Sequence, residues 1–328
     1  MDLTSLSKLA NLAFRTRRWQ RHRLNRTKAI GYRLQLETLE DRTVLDTVNW
    51  TNPAGGNWNV PGNWNVGHVP AASDDVIIDI PLTGPVVINV PVTVASAATM
   101  TVGSNVRVQI AAGQTLSVAG AANLASGSIV TLSSGFGSTQ RLVVDGTLTA
   151  IGSTLTLDAS GYQANTQLIV NGTLTASGST FSQTGGSFAA VTISHAGDLS
   201  ANRFDLPLYV PAALVPQLAG GTTANRRFQD INILSSTISS GSLDLNAIGS
   251  ESTANLRYVF PGGFTIAAGA ALNVAAGVKV LLQPGQTLSV AGAANLASGS
   301  IVTLSSGFGS TQRLVVDGTL TAIGSTLT

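Results

Sequence analysis

GQTLSVAGAANLASGSIVTLSSGFGSTQRLVVDGTLTAIGSTLT occupies Gly113–Thr156 and recurs unchanged at Gly285–Thr328, 172 positions later. Looser similarity extends upstream at the same offset, with VTVASAATMTVGSNVRVQI (Val92–Ile110) matching FTIAAGAALNVAAGVKVLL (Phe264–Leu282). A finer period lies inside the long one. RLVVDGTLTAIGSTLTLD begins at Arg141 and QLIVNGTLTASGSTFSQT at Gln167, 26 residues on. A weaker copy, ISHAGDLSANRF, begins at Ile193, and Gly120 stands 26 residues before Gly146. The body of the chain is therefore an array of units of roughly 25 residues, the scale of solenoid repeats.

Within a unit the apolar residues alternate. Leu142 and Val144 point one way and Arg141, Val143 and Asp145 the other; Leu148 stands between Thr147 and Thr149, and Leu155 and Leu157 flank Thr156. Period 2 with Thr, Val and Leu is a strand signal. The DG, NG, AG and SG pairs between strands are expected to supply the positive φ of sharp bends. One short strand cannot bury its own face. Stacked coils can, because each lays its apolar residues on those of the next at a spacing of about 4.8 Å. The expected fold is all-β, a parallel β-helix. A string of β-sandwiches fits less well: such domains need about 100 residues each and, in immunoglobulin types, a core Trp, whereas no Trp follows Trp64. The solenoid reading predicts that Leu142, Val144, Leu148, Leu155 and Leu157 are buried under Leu168, Val170, Leu174 and Phe181.

Composition agrees. Hydrophobic residues make up 44% of the chain and charged residues 10%, with 35 Gly, too apolar for a disordered chain. There is no Cys, which excludes disulfides and thiolate metal sites. No apolar run is long enough for a membrane-spanning helix. The net charge of +2 hides an asymmetry: residues 1–46 hold ten Lys and Arg against five acids, and the remainder eight against eleven. The basicity belongs to the first segment, so the body gives no sign of nucleic-acid binding.

Residues 1–46 read as a targeting leader. Leu3, Leu6, Leu9 and Ala13 suggest a short amphipathic turn, followed by Arg15, Arg17, Arg18, Arg21, Arg23, Arg26 and Lys28. The apolar run of a conventional secretory signal is missing after them. Instead comes RLQLETLEDRTVL (Arg33–Leu45). On Leu34, Leu36, Glu37, Leu39, Glu40, Asp41 and Arg42 it resembles the N-terminal box of large extracellular repeat proteins of planctomycete bacteria. That resemblance implies export to the cell surface or medium and no chemistry.

Residues 47–80 hold three of the four Trp: Trp50, Trp58 and Trp64. The W…GGNW…NW…VP…DDVII pattern is similar to the opening module of bacterial adhesin-like and autotransporter-like β-helix proteins. Physically it suits a cap, since a solenoid must cover its first coil. The alternative is a sugar-binding platform of exposed Trp faces. Asp74, Asp75 and Asp79 are candidate Ca²⁺ ligands, although the nonapeptide GGxGxD is absent and turn roles suit them better.

The array is expected to fill 81–328, with irregular coils at 202–260 and a larger loop near Pro207–Asn225. The last unit breaks off where the first copy continues into LDASGYQANTQL, so an uncovered final coil is expected, with the chain either associating end to end or fraying over roughly its last 15 residues. Asp145 and Asn171 occupy matching positions before Gly, with His195 or Ala196 next in the column, a turn pattern. Asp205, Asp230, Arg226 and Arg227 form the one charged group with the makings of a polysaccharide lyase or hydrolase site. HExxH, GxSxG, phosphate-binding Gly loops and Cys/His metal spacings are absent, and no cofactor is expected. Three functions follow: a non-catalytic structural or adhesive surface protein meeting glycans or other surface proteins, a carbohydrate-active enzyme, or a glycan-binding module built on the Trp region.

Overall fold

The computed structural model describes residues 46–88, 95–251 and 256–328, all within the compact unit Val44–Thr328. The leader's basic stretch and its LEDR box lie outside the described residues. The chain is a parallel β-solenoid of about 11 coils of roughly 25 residues. One regular coil runs through strands Thr139–Val144, Thr147–Ile151 and Thr154–Ala159. The first two lie in a 16-stranded sheet and the third in an 8-stranded sheet. The next coil repeats the path, but its strand Asn165–Ser177 passes through both positions of the long sheet without a break.

The predicted stacking is present residue for residue. Leu142 pairs with Leu168, Val144 with Val170, Leu148 with Leu174 and Leu155 with Phe181, and all are fully buried together with Leu157. Each such side chain contributes about 1.5–3 kcal/mol by leaving water, a gain no isolated strand could collect. Like residues stack on like: the rings of Phe181, Phe204 and Phe228 follow one another at 4.9 and 5.3 Å, nearly parallel. At one corner the core is polar. Ser153, Ser179, Asn202 and Asn225 are buried in a column, each later side chain accepting the backbone N–H of the one before at 2.9–3.1 Å. The ladder satisfies amides that the turning backbone would otherwise leave unpaired.

Three expectations are corrected. The first concerns the glycines. Some of these pairs do turn with positive φ, as at Gly127 (77°) and Gly178 (62°) of SG pairs and Gly113 (76°) of an AG pair. Gly120, Gly146 and Gly172, from the AG, DG and NG pairs, do not. They form a column in which a Cβ on Gly172 would run into the carbonyl of Gly146, and one on Gly146 into that of Gly120. Glycine is needed there for close approach of successive coils, not for conformation. The second concerns where the coils begin. Strand Thr47–Asn49 already pairs in parallel with Asp75–Ile78, and Gly56–Asn57 with Val86–Val87. The Trp-rich stretch is itself a coil, so among the described residues the array already runs from 47 and does not wait until 81.

The third concerns 202–260. In place of a large loop, strand Leu208–Val210 is followed by a 3-10 helix, Ala212–Ala219, that buries Ala212, Leu214, Val215 and Leu218. The helix packs between strands Phe188–Ser200 and Gly241–Leu245, taking one layer of the stack. Across this segment the 8-stranded sheet ends at Arg227–Phe228, and two 4-stranded sheets begin, at Thr237–Ile238 and at Gly241–Leu245. The duplicated block therefore lands differently. IVTL lies in the 8-stranded sheet at Ile129–Leu132 but in the 16-stranded sheet at Ile301–Leu304, while TLSV moves from the 16-stranded sheet (Thr115–Val118) to a 4-stranded one (Thr287–Val290). Its local stacking is unchanged: Leu116 faces Leu142, and Leu288 faces Leu314. The final coil is uncovered, with Leu314 and Val316 half-buried and Leu320 and Leu327 exposed.

Candidate functional site

The Trp residues are spent on the core. Trp50, Trp58 and Trp64 are at most 3% exposed. Trp64 meets each of the other two edge-to-face at 4.8 Å, and its Nε1 donates to the carbonyl of Trp58 at 2.8 Å. An indole whose faces are covered by other indoles cannot receive a sugar, so the platform reading gives way to the cap reading. The neighbouring acids are placed as turn and ladder groups. Asp74 is buried and accepts the backbone N–H of Ala71 at 2.8 Å. Asp75 accepts the hydroxyl of Thr99 on the next coil at 2.6 Å, and Asp79 is exposed. They do not converge, and among the described residues no cluster of three or more potential metal ligands is present.

The charged segment forms ion pairs between coils. Arg227 grips Asp205 through Nε and Nη2, both at 2.5 Å. Arg257 grips Asp230 in the same two-pronged way at 2.7 and 2.6 Å. Arg203 reaches Glu251 at 2.7 Å. Hydrogen bonding to Asp205 and Asp230 raises the pKa of Arg227 and Arg257, and hydrogen bonding to Arg203 lowers that of Glu251. Arg226 is exposed. Asp205 and Asp230, which as a pair could have served as acid and base, are each tied to a separate guanidinium in a two-pronged, charge-assisted contact. In the turn column, Asn171 Nδ2 donates to Asp145 Oδ1 at 2.7 Å. A register shift then places His195 beside Thr173.

A different group comes together at the corner between the 8-stranded and the 16-stranded sheets. Successive coils cross this corner with residues 133–138, 160–164 and 186–187. Phe136 and Tyr162 ride on the two wide crossings, 81% and 68% exposed, with rings stacked at 5.8 Å and 24°. The third crossing is short. Phe188, 26 residues after Tyr162, therefore pairs in register with Asn165 and packs toward Tyr209 on the following coil, 6.3 Å away. The step leaves an open recess of about 690 Å³ whose walls include Tyr162 and Phe188. Asp158 braces the wide crossing. It accepts the backbone N–H groups of Ser134 (3.2 Å) and Ser160 (2.9 Å) and the hydroxyl of Thr184 (3.1 Å). Partial burial pushes its pKa up, but these hydrogen bonds, those of Ser160 foremost, outweigh it and bring the pKa down to about 2. The sequence reading missed this corner, although the 26-residue spacing of Phe136, Tyr162 and Phe188 was there to see.

Residues 49–168 match the family model of a domain of unknown function (DUF8693). No curated protein and no solved structure matches the chain. The matched span begins at the Trp coil and takes in Phe136 and Tyr162. The ion pairs of the irregular segment and Phe188 lie beyond it.

Proposed function

We propose that the chain is a non-catalytic structural or adhesive solenoid, exported to the cell surface or medium, whose role is to display its side faces. What supports the reading is the fate of the charged segment. Asp205, Asp230 and Glu251 are each paired with a separate arginine, 22, 27 and 48 residues away along the chain, and Asp244 is held by Ser242 and Asn273. The outward positions of the regular coils are mostly Thr, Ser and Asn, side chains suited to ladder hydrogen bonds and contact rather than to proton transfer. Export rests on the likeness of the leader's LEDR box to exported repeat proteins. The decisive experiment is incubation of the purified chain with neutral and anionic polysaccharides, followed by chain-length analysis. Unchanged polymer is expected; shortened polymer, abolished by Asp205→Asn or Asp230→Asn, would establish the enzyme reading instead.

The same reading carries association end to end. In the 328-residue chain the strands of the final coil offer unpaired edges and a half-covered apolar face, a template for pairing. Light scattering is expected to show mass growing with concentration. A monodisperse monomer, with Leu314–Val316 amides exchanging as slowly as those of Leu142–Val144, would refute it.

A further inference from the structure

The stepped corner has the features of a ligand site. Phe136, on the preceding coil, covers one side of Tyr162. The recess opens on the side of the following coil, and Phe136 is not among its walls. Tyr162 and Phe188 thus present aromatic surface to a common space. Between them the polar lining comes from Ser160, Gln163, Asn165 and Ser187, and no charged residue takes part. The Oδ1 of Asn165 is buried beneath the recess wall and has no hydrogen-bond partner within the protein. The crossing is held in place: Gln163 sits at φ 56°, a left-handed conformation uncommon outside glycine, and Ser187 Oγ donates to the carbonyl of Gly161 at 2.7 Å. A volume of 690 Å³ falls within the ~300–1,000 Å³ of small-ligand pockets.

A surface that pairs exposed aromatic faces with short hydroxyl and amide side chains, and carries no charge, matches one common chemistry. A neutral pyranose has an apolar C–H face that lies on a ring and a rim of hydroxyls that both donate and accept. An anionic sugar would find no cation in the lining. We propose that the recess between Tyr162 and Phe188 binds a neutral glycan, one sugar ring lying against Tyr162 with its hydroxyls toward Gln163, Asn165 and Ser187. This deepens the adhesive reading and rests on it, since the site holds a polymer without cutting it. Because the walls are fixed before the ligand arrives, little ordering cost opposes binding.

The test is affinity electrophoresis of the full chain through gels containing dextran, mannan, xylan or hydroxyethyl cellulose, with polygalacturonate and a polyproline peptide as competing probes. Retardation by at least one neutral polysaccharide is expected. Tyr162→Ala is expected to weaken it by about tenfold, the worth of one aromatic stacking partner, while Tyr162→Phe keeps most of it. Gly186→Phe supplies a variant that leaves both aromatic walls intact. A Cβ on Gly186 meets nothing within 4 Å and its φ is not positive, so the variant is expected to fold and to fill the recess, abolishing retardation. Phe308→Ala, a fully exposed ring on another corner, is expected to change nothing. Circular dichroism confirms that each variant is folded. The proposal is overturned if no neutral polysaccharide retards the chain, if Tyr162→Ala and Gly186→Phe migrate as the parent does, or if only polygalacturonate or polyproline binds. Shortening of the recovered polymer would overturn the non-catalytic reading and leave the recess standing. Intact polymer without retardation would overturn the recess alone.

Discussion

The duplicated block contains its own control. Leu148 and Leu320 occupy the same position in identical sequence, but Leu148 is fully buried between Ala122 and Leu174, whereas Leu320 rests on Ala294 alone and is 46% exposed. Leu148→Ala removes a side chain from a packed interior and leaves a cavity, a loss of about 2–5 kcal/mol. At Leu320 roughly half the transfer gain is available and no closed cavity forms, so Leu320→Ala is expected to cost about 1 kcal/mol. Long repeat arrays lose two-state cooperativity. The measurement is therefore urea unfolding by circular dichroism together with amide exchange resolved along the chain. Appending Leu157–Thr184 after Thr328 supplies the coil that follows the first copy, and it is expected to raise the cost of Leu320→Ala to that of Leu148→Ala. Equal losses for the two substitutions in the 328-residue chain would show that stacking on the next coil is not what holds these residues.

Three further outcomes follow. Trp64→Ala, which removes the indole touching both other indoles, is expected to cost about 3–5 kcal/mol and to release the first coil, read as early amide exchange over Thr47–Ile78. Gly172→Ala is expected to lower the melting temperature by several degrees because its Cβ meets the carbonyl of Gly146, whereas Gly186→Ala, which meets nothing, leaves it unchanged. Asp158 has a folded pKa below its unfolded value, so the stability it contributes is present above about pH 4 and is lost as the pH falls toward 2. Screened by solvent, that contribution is on the order of 1 kcal/mol, and Asp158→Asn is expected to flatten the acid limb of a melting-temperature profile.

How much could be read in advance depends on how local the cause is. The stacking of Leu142 on Leu168 was legible because the side chains that meet are of one kind and stand one coil length apart. That Trp50, Trp58 and Trp64 turn inward was legible because large apolar side chains clustered at one end of an array are worth most in its core. The glycine column was found for the wrong reason: a clash between a Cβ and the carbonyl of the preceding coil exists only once the coils are stacked. The 3-10 helix hid behind Pro211 and Pro216, which read as loop although the residues around them are apolar enough to fill a core layer. The ion pairs were hidden because coil length varies there, setting Arg227 22 residues from Asp205 and Arg257 27 from Asp230. The recess at Tyr162 depends on a crossing that is short by three residues, which shows only in the strand register.

The sheet exchange of the duplicated block has a consequence for how such a chain can grow. A coil that keeps its own neighbours while changing sheets takes no account of the molecule's azimuth; it recognises only what lies directly above and below. Whole blocks can then be copied into the gene at any phase of the winding, and the interior accepts them. The outside does not stay the same. Phe136 projects where the 8-stranded sheet meets the 16-stranded one, and its duplicate Phe308 where the 16-stranded sheet meets a 4-stranded one. One genetic event thus repeats a surface feature further along the axis and turns it to a new bearing, as a spiral stair carries its treads around a post.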